Sequence, residues 1–165
     1  MGMLLLLGIL PIAQALSPSL KFNEDGKFKI VQFTDVHYIY NNPKSSIAIE
    51  RINEVLDTEK PDLVVFTGDV IFGKPAEEGF RTILDLPSKR KIPFAVTFGN
   101  HDNEQGLSRE QLFRIIESVP YNMTSTVDSL SGVTNFVLRL NLPIIKKIQP
   151  FCTVSTLTPI HNSKE

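Results

Sequence analysis

The chain of 165 residues holds a single cysteine, Cys152, so no disulfide can form within it and the fold must be held by its core. It has no excess of charge of either sign: the formal net charge is -1, and the basic residues are scattered apart from Lys89-Arg90-Lys91, which reads as a solvated turn. The electrostatic footprint of phosphate-backbone binding is therefore missing, and no nucleic-acid partner is expected. The apolar run from Leu4 to Ile12 is too short to span a bilayer, so no stable membrane span is expected either. There is no internal repeat and no low-complexity stretch, and the turn after the first long apolar strand lacks the Gly-rich fingerprint of a Rossmann-type nucleotide binder. What remains, with 42% apolar residues, is the composition of one ordinary globular domain.

Met1-Gly2-Met3, the apolar run and Ala13-Gln14-Ala15 together have the length and small-residue ending of a secretory signal peptide over 1–16. This predicts a secreted or endomembrane-lumenal protein. No Lys or Arg precedes the run, and an uncleaved anchor or a buried strand would use the same residues. Asn122-Met123-Thr124 is an N-glycosylation sequon, usable if the chain is secreted.

Leu20-Lys21-Phe22 and Phe28 to Phe33 flank Asn23-Glu24-Asp25-Gly26, whose Asp-Gly predicts a hairpin. Helical spacing follows over Ser45 to Leu56, Pro75 to Leu86 and Ser108 to Ser118, the last opened by a Ser108/Gln111 capping box. Between these helices lie two short apolar runs, Leu63-Val64-Val65-Phe66 and Phe94-Ala95-Val96-Thr97-Phe98, which read as buried parallel strands. Strands alternating with helices predict an α/β fold, a mostly parallel sheet flanked by helices. Phe136 to Leu140 reads as a further strand at an edge.

Three polar clusters follow the three strands: Asp35-Val36-His37, Gly68-Asp69, and Gly99-Asn100-His101-Asp102. In an open parallel sheet the carboxyl ends of the strands lie side by side, and ligands bind in the crevice just outside them. Convergence would gather Asp35, His37, Asp69 and Asn100 around one point, a set of oxygen and imidazole donors suited to divalent Zn, Mn or Fe. Asp69, from the middle strand, is the natural bridge between two ions, and a two-ion site favours in-line displacement at phosphorus. His101 would protonate a leaving oxygen or stabilise charge on the phosphate, and Asp102 would orient it. Each cluster singly also reads as turn chemistry: Asp ends strands and caps helices, and Gly-Asp is a common turn. All three in order, each after a buried strand, argue for a site.

These motifs, DxH, GD and GNH followed by D, resemble those of the calcineurin-like metallophosphoesterase superfamily. LKFNEDGKFKIVQFTDVHY from Leu20 to Tyr38 and FGNHDNEQGLSREQL from Phe98 to Leu112 look like the branch with fungal cell-cycle-related phosphoesterases and plant probable (inactive) purple acid phosphatases. The resemblance implies the N-terminal half of an αββα sandwich. It implies two divalent metal ions, the first on Asp35 and His37, Asp69 bridging, the second on Asn100, with His101 catalytic and Asp102 assisting. The implied activity is phosphoester hydrolysis by a metal-activated hydroxide, on a small phosphoester or a phosphoprotein. Two departures narrow this. Phe72 stands where the purple enzymes have the tyrosine that colours their iron, and Val70-Ile71-Phe72 and Phe98 replace the arginine-bearing runs of Ser/Thr protein phosphatases. A third is larger: the family's later His and Gly-His-x-His motifs are missing, and His161 matches neither. The expected organisation is thus a truncated phosphoesterase domain over 20–140, then an irregular tail over 141–165 in which Pro143, Pro150 and Pro159 break regular structure. Impaired hydrolysis is expected, with a non-catalytic fragment or binding product as the alternative.

Overall fold

The computed structural model describes residues 18–127, 129–141 and 153–156. The predicted signal peptide, Cys152, His161 and the tail prolines lie outside the described residues. The chain forms β1 (Ile30–Phe33), α1 (Ser46–Glu59), β2 (Leu63–Thr67), α2 (Ala76–Lys89), β3 (Phe94–Thr97), α3 (Arg109–Glu117), β4 (Phe136–Arg139) and β5 (Thr153–Thr156). Two 3-10 turns, Pro43–Ser45 and Asp102–Gln105, stand among them.

β1, β2 and β3 form a parallel sheet in that order, with Ile30 opposite Leu63 and Val64 opposite Phe94. Side chains alternate across a strand, and here the alternation divides the core in two. Val64, Phe66, Phe94 and Val96 pack with Ile52 and Leu56 of α1, Phe80, Ile83 and Leu84 of α2, and Leu112 and Ile116 of α3. Leu63, Val65 and Ala95, on the opposite face, pack with Phe136, Leu138 and Leu140. The central strand is covered on both sides, which is why it reads as an unbroken apolar run.

The helices end where local chemistry dictates. Lys60 closes α1 in the left-handed conformation, its N–H bonding the Leu56 carbonyl, just before Pro61. Ser108 opens α3 with the predicted capping box. α2 runs past its expected end at Leu86 and takes Pro87 into its last turn.

Three sequence expectations differ from the structure. The Asp-Gly turn forms, closed by Asn23 N–H to the Lys27 carbonyl, but its arms do not pair as strands; Lys21 instead bridges Asn141 in parallel. Tertiary pairing outweighs the hairpin because Leu20 is buried in the second core with Leu140. β4 is not an edge of the parallel sheet: it pairs antiparallel with β5 and lays its buried face, Phe136 and Leu138, across that sheet. β5 in turn is regular structure within the segment read as an irregular tail, a Thr-Val-Ser-Thr run rich in β-branched residues.

Candidate metal centre

Beyond Phe33, Thr67 and Thr97 the three strands give way to loops that remain bonded to one another. Asp35 N–H donates to the Gly68 carbonyl at 3.2 Å, His37 N–H to the Asp69 carbonyl at 2.9 Å, and His101 N–H to Asp69 Oδ1 at 2.9 Å. The first two clusters are thereby tied backbone to backbone, and the third hangs on the Asp69 side chain.

Asp35, His37 and Asp69 each present a ligand-type atom within 4.8 Å of the others. His37 Nε2 lies 3.6 Å from Asp69 Oδ2 and 3.9 Å from Asp35 Oδ1. Both separations are too long for hydrogen bonds and are of the order expected between donors that share one cation. His37 Nε2 is buried and has no hydrogen-bond partner. A buried ring nitrogen left unpaired between two carboxylates is costly, and a divalent ion would satisfy it. The donor set fits Zn, Mn or Fe.

The backbone makes the same point. Asp35, His37 and Asp69 have φ of 52°, 48° and 52°, in the left-handed region that residues other than glycine adopt at a cost. Three of the eight such non-glycine positions among the described residues thus carry the three converging side chains. Gly68, at φ 104°, and Gly99 make room beneath them: a Cβ on Gly68 would stand 2.8 Å from the Gly99 backbone, and one on Gly99 would collide with Asp69 Oδ1.

Asn100 lies on the same loop between Gly99 and His101 and is exposed. Asp102 is fully buried, and its place differs from the expected one beside the His101 ring. Its Oδ2 accepts from the amides of Asp69 and Gly99 at 3.0 and 2.8 Å, and its Oδ1 from Val70 and Ile71 at 2.8 and 3.2 Å. Both oxygens are occupied in clamping the second loop to the third. Burial pushes the Asp102 carboxyl above its usual range, against the pull of these four amides.

The carboxylate that meets His101 is Glu104, with Oε2 at 2.7 Å from Nδ1. This pairing holds the His101 imidazole above its ordinary pKa. The sequence reading passed over Glu104, although an acid three residues after a histidine in a tight turn is within reach of it. It also passed over the contacts of Phe72, whose ring stacks on His37 at 5.1 Å and meets His101 edge-on at 5.0 Å. Arg109 Nη2 donates to the Gly99 carbonyl at 2.8 Å and so braces the third loop from the start of α3.

A parallel sheet whose strand ends gather two aspartates and a histidine, with a Gly-Asn-His-Asp loop alongside, is the arrangement that the metallophosphoesterase motifs imply. Residues 28–155 match the calcineurin-like phosphoesterase family, and the chain belongs to it. It is 36% identical to phosphatase DCR2 of Saccharomyces cerevisiae over 143 residues, covering 73% of this chain and 25% of that protein. It is 34% identical to the uncharacterized protein C1020.05 of Schizosaccharomyces pombe, covering 74% of this chain and 28% of that one. To probable inactive purple acid phosphatase 29 of Arabidopsis thaliana the identity is 31%, over 83% of this chain and 41% of the plant protein. The chain thus spans about a quarter to two fifths of the length of these relatives.

Proposed function

We propose that this chain supplies the first half of a dinuclear metal centre that hydrolyses phosphoesters, with Asp35 and His37 holding one ion, Asp69 bridging, and Asn100 and residues of the whole protein holding the second. The observation that carries the reading is the convergence of Asp35, His37 and Asp69 around the unpaired His37 Nε2. Divalent ions bound there supply Lewis acidity toward a phosphoryl oxygen and lower the pKa of water. The residues do the rest. Asp69, the most buried of the three ligands, fixes the site to the sheet, and its Oδ1 holds the His101 backbone. His101 gives a proton to the leaving oxygen, and its raised pKa keeps more of it protonated near neutrality. Phe72 covers one flank of both rings and limits water there.

The test is a titration with Mn or Zn. The melting temperature rises with metal, the rise is lost in Asp69→Asn, and the whole protein cleaves p-nitrophenyl phosphate with the same dependence. A non-catalytic binding product is the second reading, favoured by the words "probable inactive" in the names of the plant relatives. A folded preparation with no metal response leaves only that reading. No helix among the described residues is long and apolar enough to cross a membrane. A leader over 1–16 would direct the chain to the endomembrane lumen or outside the cell, and amino-terminal sequencing of the mature protein checks this.

A further inference from the structure

Resting on the reading of His101 as the proton donor, we propose that Glu104 is the positioning residue for that ring: its carboxylate holds the hydrogen on Nδ1 and so reserves Nε2 for the proton that is transferred. At 2.7 Å from Nδ1, Glu104 Oε2 can only accept, because an ionised carboxylate has no hydrogen to give. The Nδ1–H tautomer is therefore the one the carboxylate selects, and Nε2 is the nitrogen left without that hydrogen.

The pairing is built into the local backbone. Asp102–Gln105 is a 3-10 turn, in which side chains three apart lie over one another, and the turn is closed by Glu104 N–H to the His101 carbonyl at 3.1 Å. Gly106, at φ 95°, ends the turn directly after Gln105. The His101 backbone is pinned on its other side by the bond from its N–H to Asp69 Oδ1. Phe72 lies edge-on to the ring with planes 89° apart, which restricts its rotation. Asp102 does not compete for Nδ1, because both its oxygens accept from backbone amides.

The tautomer can be read directly in the metal-free chain, independently of activity. The sequence holds three histidines, so two-bond proton–nitrogen correlation spectra of 15N-histidine-labelled protein are assignable with His37→Ala and His161→Ala controls. Above the pKa of the ring, His101 shows the Nδ1–H pattern, and Glu104→Ala moves the tautomer ratio toward Nε2–H by about tenfold, as expected for loss of a charge-assisted hydrogen bond. The Glu104 side chain is 54% exposed, so its removal leaves the fold intact. A wild-type His101 in the Nε2–H form, or a ratio unchanged in Glu104→Ala, overturns the proposal. An Nδ1–H ring in a chain that gives no metal response removes the hydrolase reading and leaves the hold of Glu104 on the ring standing.

Discussion

Asp102 shows what one buried carboxylate does when its four lone-pair directions are all spoken for. In Asp102→Asn one oxygen becomes an NH2 group that faces two amide donors, so two buried N–H groups lose their acceptor. Urea unfolding should show a loss of about 3 kcal/mol, at a cost of 1–3 kcal/mol for each unmet group. At His101 the consequence is pH-dependent. Glu104 raises the folded-state pKa above the ordinary 6.5, so the pair stabilises in full below that value, and the contribution is lost as pH rises through the raised pKa. Glu104→Ala should lower the melting temperature of the metal-free chain more at about pH 5 than at about pH 9, where only the bond from the neutral ring is lost. Gly99→Ala belongs to the same scale: its Cβ would collide with both Oδ1 and the backbone nitrogen of Asp69, so the metal-dependent rise in melting temperature should vanish and the metal-free melting temperature should fall.

Among the elements, β3 shows how a short strand is finished without a regular neighbour. Residues 121–124 run along its open side: Phe94 N–H donates to the Tyr121 carbonyl, Met123 N–H to the Phe94 carbonyl, and the buried Thr124 hydroxyl accepts from Val96 N–H at 2.9 Å. Thr124→Ala leaves Val96 N–H buried and unmet and should cost about 1–3 kcal/mol in chemical denaturation. The same residues form the sequon, and Asn122 folds its side chain onto Thr124, accepting from its N–H at 2.9 Å. Both polar side chains of the sequon are thus engaged in the fold. Elements were legible where local chemistry and burial agreed. The β2 run has one reading because both its faces are covered, and the α3 cap because Ser108 and Gln111 satisfy each other's backbone. The Leu20–Phe22 arm was misread because a turn signal says nothing about which distant strand competes for the residues beside it.

For the molecule as a whole, the helices on one face and β4 on the other leave the strand ends open at a single rim, where Asp35, His37 and Asp69 meet and His101 is bonded through its N–H to Asp69. A cation held there binds only the folded state, so free metal at about a hundred times its dissociation constant should stabilise the chain by about 2.7 kcal/mol. Differential scanning calorimetry checks this, and Asp35→Asn should abolish it while preserving the metal-free melting temperature, since Asn also tolerates the left-handed conformation.

That Asp35, His37 and Asp69 gather at one rim was legible in the sequence by itself, because a parallel sheet with helical crossovers brings every strand end to the same side and the residues just after each strand follow. The sequence could not assign the partners within that rim. Whether Asp102 or Glu104 meets the His101 ring depends on where four amides from two loops point, and whether Phe136–Arg139 extends the sheet or crosses it depends on which apolar face is left uncovered. Those are contacts between segments distant in the chain, and they are decided when the layers pack.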